Sequence, residues 1–155
     1  MDRRKTSMSE SVSSELYDLE LVETTCLENG LSCNRICDSE IEVTIAPNMI
    51  LVIANTENGA DTFFGFRDVP SHSHGRLVLM TGESTYVEYD PSDVLLGVLS
   101  GLVIVVSQYR KGQLEDGWLA HRDEKMDLRY KEPDEEIRIY RVGDRDAATL
   151  SESRT

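Results

Sequence analysis

Four kinds of residue or pattern are scarce in this chain, and each scarcity removes a class of function. Bases come first. Residues 9–100 hold 16 Asp and Glu against only Arg35, Arg67 and Arg76. Such an acidic surface repels phosphate backbones. Aromatics are 6% of the chain and are not interleaved with bases, so no nucleic-acid stacking platform is expected. The three cysteines are an odd number, which rules out a complete disulfide framework and points to reduced thiols in the cytoplasm. Long apolar runs are also missing. The longest nearly apolar stretch, 94–106, falls short of the roughly 20 residues of a membrane helix. Gly97, Ser100 and Gly101 interrupt it as well. Met1-Asp2-Arg3-Arg4-Lys5 is followed by Ser and Glu, not by an apolar segment, so no secretory signal is expected. The sequence holds no P-loop, no G-x-G-x-x-G and no G-x-S-x-G.

What is present is organised around residues 86–109, YVEYDPSDVLLGVLSGLVIVVSQY. Tyr86 to Tyr89 alternates as the end of a strand does. Pro91 stops it, and Asp90 or Ser92 can cap a helix with a side-chain oxygen. Val94, Leu95, Val98 and Leu99 recur at helical spacing, and Gly101 can end the helix in the left-handed conformation. The spacing therefore predicts one short helix over 92–100. Residues 102–106, LVIVV, are an unbroken and mostly β-branched run, which predicts an interior strand buried on both faces.

Either side of that centre the pattern is of short strands. Residues 17–24 alternate at Tyr17, Leu19 and Leu21 and read as a strand, with a helix as the alternative; 25–39 reads as a connection with Asn29-Gly30 as a turn. Ile41, Val43 and Ile45 alternate with Glu40, Glu42 and Thr44, the pattern of a half-solvated strand. Strands are also expected over 49–54, 62–66 and 76–80, with 69–75 a loop. Residues 109–117 read as a hairpin returning through Trp118, and 136–142 as a last strand on an edge. The fold expected is α+β and β-rich: a mostly antiparallel sheet, small barrel or sandwich of about eight strands. It forms one domain over 15–142, flanked by a disordered tail at 1–14 and a polar tail at 143–155.

Two groups of side chains could carry chemistry. The cysteines, Cys26, Cys33 and Cys37, fall in a C-x6-C-x3-C spacing with no second pair, which suits buried or half-buried thiols better than a zinc site. His72-Ser73-His74 is the other. Two histidines at i and i+2 of a strand share a face and can bind one metal. This resembles the H-x-H of the cupin family, a small antiparallel β-barrel. In that family a glutamate follows the second histidine closely and a further histidine comes from a later strand. Here the first acid after His74 is Glu83, and His121 would have to be the late histidine, so the motif is incomplete. Pro70, Ser71, Ser73 and Gly75 around the pair suit an exposed loop equally well.

Charge gives the functional expectation. The net charge is −13 and the pI about 4.6, yet residues 101–155 balance 12 acids with 10 bases. The excess therefore lies in the first two-thirds, where it would steer towards a basic partner. A competing explanation is a salt-adapted host, since the bases are mostly arginine, 12 against 4 lysines. The leading expectation is a small acidic cytoplasmic binding protein, not an enzyme, that neutralises a basic protein such as a toxin or nuclease. In character, though not by motif, it resembles bacterial immunity proteins and phage-encoded inhibitors of host nucleases. The contact residues expected are Trp118, Asp116, Glu83 and Glu88, with Trp118 projecting beside an Asp116-Gly117 turn as the anchor. No cofactor, nucleic acid or membrane is expected. The alternative is a cupin-like metal-dependent enzyme or small-molecule sensor using His72, His74 and His121.

Overall fold

A computed structural model describes residues 16–56, 61–82, 84–124 and 131–141, and the backbone of 148–150. Residues 1–14 and Glu83 lie outside the described residues.

Leu19–Asn29 forms a helix, α1, which corrects the strand expected over 17–24. The alternation spans only three residues, and the helical period beneath it is longer: Leu19, Val22 and Cys26 are buried, while Leu21 is 48% exposed. Asp18 accepts the Leu21 amide at 3.1 Å as the N-cap. Gly30 closes the helix at φ 73°, where its N–H donates to the Cys26 carbonyl. The segment 25–39 is consequently not a simple connection. After Gly30 it becomes β1, Ser32–Cys37.

β1 opens a meander with β2 (Glu40–Ala46), β3 (Met49–Asn55), β4 (Thr62–Phe66) and the two-residue β5 (His72–Ser73), in that spatial order and antiparallel throughout. The alternation expected for β2 holds: Ile41, Val43 and Ile45 are buried. β5 falls inside the stretch read as a loop, pairing Ser73 with Phe64 and His72 with Gly65. β6 (Leu77–Met80) and β7 (Tyr86–Tyr89) form a two-stranded ribbon, with Leu77 and Leu79 turned inward.

α2, Pro91–Ser100, follows with Pro91 at its start and Gly101 in the left-handed conformation at φ 84°. It has to lie close to the next strand. A Cβ on Gly97 would stand 2.7 Å from Val103 Cγ2, so any larger residue there has to displace the buried Val103. β8 (Val103–Arg110) runs between β9 (Gln113–His121) and β10 (Glu135–Tyr140), and is thus an interior strand. Its two faces serve two cores. Val103 and Val105 join the main cluster with α1, α2 and the meander, while Ile104 and Val106 pack with Ala120, Ile137, Ile139 and the half-buried Trp118.

The β8–β9 turn is Lys111-Gly112, both at positive φ, as a two-residue hairpin of the primed type requires. Asp116-Gly117 is therefore not a turn but lies within β9. β10 is not an edge strand, since β11 (Ala148–Leu150) pairs along its other side. That short strand lies in the stretch read as a polar tail. Together the sheets are antiparallel and β-rich, as the sequence implies, with two helices rather than one among the described residues.

Candidate functional site

The cleft that best merits attention lies where the N-termini of α1 and α2 meet the turn before β6. It has a volume of about 250 Å³, and its lining includes Leu16, Asp18, Leu21, Arg76, Asp90 and Ser92. Its position is fixed by Tyr17. Asn55 accepts the Tyr17 amide at 2.8 Å and donates to the Tyr17 carbonyl at 3.0 Å, while the Tyr17 hydroxyl donates to the Gly75 carbonyl. Burial raises the Tyr17 pKa, and the charges of Asp61 and Asp90 push the same way, so the phenol remains a donor.

Two carboxylates, Asp18 and Asp90, line this cleft, and a third, Glu88, is paired with its Arg76. One oxygen of Asp18 is spent on the α1 cap, and the other is not. Asp90 precedes α2 but makes no side-chain cap bond. It lies 3.5 Å from Arg76 Nη1, while Glu88 lies 3.3 Å from Arg76 Nε. Ser92, only 7% exposed, lines the cleft, and its hydroxyl meets no hydrogen-bond partner among the described residues. The walls are apolar, with Leu16 and Leu21 43% and 48% exposed.

Of the residues expected from sequence to meet a partner, Glu88 belongs to this neighbourhood. Asp116 does not. Its carboxylate accepts the Ser71 amide at 3.0 Å, the Ser71 hydroxyl at 2.6 Å and the Gly117 amide at 2.8 Å, which ties β9 to the loop before β5. Trp118 is half-buried against the second core cluster and is not at a hairpin tip, because the chain reverses at Lys111-Gly112. Sequence reasoning missed Asp18, Arg76, Asp90 and Ser92 as a group. Asp90 and Ser92 were legible as helix caps, but nothing local connects them with Asp18.

His72 and His74 do lie side by side, their rings 5.0 Å apart and nearly perpendicular, with Phe63 stacked on His72 at 5.1 Å. Each turns Nδ1 to a backbone carbonyl, of Pro70 and Thr62 respectively. His121 is buried on β9, where its Nδ1 accepts the Asp123 amide at 3.1 Å. Among the described residues, no three His, Cys, Asp or Glu are placed to hold a metal ion. The cysteines are all free thiols. Burial, with Cys33 nearby, pushes Cys26 up to about 12, which makes it an inert core thiol.

Electrostatics separate the molecule in two. Arg35 pairs with Glu23 at 2.9 Å and Glu20 at 3.7 Å, Arg67 with Glu42, and Arg76 with Glu88 and Asp90. All three arginines of residues 16–100 are thus engaged, and the remaining carboxylates there have no Arg or Lys of their own region to meet. No helix among the described residues is long and apolar enough to cross a membrane. No protein-family model matches the chain, and no curated protein or solved structure matches it either.

Proposed function

We propose that this chain is a small acidic binding protein that occupies and blocks a basic protein partner, such as a toxin or nuclease, in the manner of an immunity protein or a phage-encoded inhibitor. The observation that carries the reading is the full internal use of Arg35, Arg67 and Arg76, which leaves the surplus acids of the first two-thirds directed outward. Long-range attraction from such a surface raises the rate of encounter with a basic surface. Cleft size supports the same reading. At about 250 Å³ the cleft is smaller than the roughly 300–1,000 Å³ typical of small-molecule sites, and suits one inserted side chain. Reduced thiols suit a cytoplasmic setting, which is part of the proposal.

The test is capture from the native host followed by mass spectrometry and an activity assay on what is captured. The expected result is a dominant basic protein, released by salt, whose activity falls when this chain is added back. Capture of a partner with an acidic contact surface, or of a basic protein whose activity is untouched, contradicts the proposal.

A second reading has one observation in its favour. The Nδ1 contacts of His72 and His74 leave both Nε2 atoms for a metal, and a ligating histidine commonly donates its other N–H to a carbonyl. A cupin-like enzyme or sensor would use that pair without His121, because no three His, Cys, Asp or Glu among the described residues are placed around one metal ion.

A further inference from the structure

We propose that the cleft between the two helix N-termini receives an arginine side chain of the basic partner; this inference rests on the binding reading above. Shape, charge and an unmet hydrogen bond point the same way.

The cleft, about 250 Å³ in volume, offers an apolar wall to an alkyl stem. Leu16 and Leu21 are large hydrophobic side chains left half-exposed on its wall, and Pro91 continues that wall. A long cationic side chain buries its methylenes on such a surface while its head reaches polar groups. The head would find acceptors. Asp18 has one oxygen not spent on its cap, Asp90 caps nothing, and both are exposed. The Ser92 hydroxyl is buried with no partner among the described residues, and buried polar groups are ordinarily hydrogen-bonded. A donor arriving in the cleft supplies what Ser92 lacks.

Charge decides between cation and anion. The amide end of α2 would by itself favour an anion. But Asp93 lies in its first turn, Pro91 carries no N–H, and Asp18 and Asp90 line the cleft against Arg76, whose charge is further offset by Glu88 beside it. An anion would meet two carboxylates in the lining, whereas a cation meets one guanidinium that is already paired. Arginine fits better than lysine because its planar head offers five donors and is more weakly hydrated. Arg76 already shows a guanidinium held between two of these carboxylates.

The experiment uses the full chain, labelled with nitrogen-15, and three probes: N-acetyl-arginine amide, N-acetyl-lysine amide and the uncharged N-acetyl-citrulline amide. The arginine probe is expected to shift the amides of Leu21, Val22, Arg76, Ser92 and Asp93 saturably, more tightly than the lysine probe, and the citrulline probe not at all. An Asp18→Asn/Asp90→Asn double variant should weaken the arginine probe by about tenfold, since two of the charges facing it are gone. Asn caps a helix as well as Asp does, so this variant keeps its fold, and its thermal transition verifies that. Ser92→Ala should weaken the probe by several-fold. Shifts that do not saturate, that centre elsewhere on the acidic surface, or that are unchanged in the double variant overturn the proposal. Loss of the cleft alone is distinguishable from loss of the wider reading. If a captured basic protein binds the double variant as tightly as the parent, the arginine assignment falls and the binding function stands.

Discussion

The two regions of this molecule use charge in opposite ways. In the C-terminal sheet, charges join strands. Arg110 on β8 reaches Glu115 on β9 at 3.2 Å, Asp134 at 2.7 Å and Glu135 on β10 at 2.6 Å. Arg110 donates these hydrogen bonds, and those to Glu115 first and Asp134 next push its pKa further up. Arg138 on β10 pairs with Glu136 at 2.9 Å and stacks 3.9 Å over the Tyr109 ring on β8. Across residues 16–100 the three arginines are consumed locally and most of the acids have no Arg or Lys counterpart in that stretch. The same residue types thus serve cohesion in one region and an outward field in the other. Exposed pairs of this kind add little stability individually, so the acid surplus is better understood as a property of the surface than of the fold.

The bluntest way to break the comparison is through β8, the strand on which both regions depend. Ile104→Asp puts a carboxylate into the second core cluster, which costs several kcal/mol, comparable to the roughly 5–15 kcal/mol of a whole domain. Loss of the cooperative thermal transition is expected. Retention of a transition near the parent's would mean that β8 is not the shared interior strand. Survival of the meander alone would mean that the two regions fold separately.

Asp116→Ala sharpens the comparison, because Asp116 belongs to the mixed region yet bonds Ser71 in the acidic one. Losing its hydrogen bonds should cost about 2–3 kcal/mol in denaturant unfolding. The rate of partner association should not change. A slowed association with unaltered stability would return Asp116 to the contact surface that the sequence suggested.

A smaller effect is expected at alkaline pH. Tyr17 has its pKa raised in the folded protein by burial. The phenol therefore contributes stability that is fully present below about pH 10, its unfolded value, and is lost as pH rises through the higher folded value. The thermal midpoint of the parent should fall more steeply above pH 10 than that of Tyr17→Phe. Parallel curves would mean that Tyr17 does not hold the cleft in place through its hydroxyl.

The smallest expected effect is none: elemental analysis of protein purified without chelators or a histidine tag should give well under one equivalent of zinc, iron, manganese, nickel or copper. A stoichiometric metal that disappears in a His72→Ala/His74→Ala variant would promote the cupin-like reading and set the charge comparison aside.

How much of this was legible depended on whether the cause was local. The run at 102–106 announces a two-faced strand because both faces of β8 are apolar, although Leu102 itself precedes the strand and is 36% exposed. Pro91 and Gly101 mark α2 because each constrains its own backbone. α1 was legible only as the alternative to a strand, since Tyr17, Leu19 and Leu21 imitate one and a cysteine completes the helical stripe. β11 has no local signal, for it is a strand only through β10 beside it. The cleft was out of reach for the same reason. Asp18, Arg76 and Asp90 are brought together by tertiary packing, including Tyr17 seating on Asn55 and Gly75, and not by any local pattern.

The central claim is that the outward acids act before contact, and stopped-flow association with the captured partner tests it most directly. Screening acts over about 10 Å at 0.1 M salt, so raising salt from roughly 50 mM to 500 mM should slow association by about tenfold if steering dominates. The dissociation rate should change much less. An association rate flat across that range would contradict the account, and the acidity of the first two-thirds would then be a trait of solubility or of a salty host.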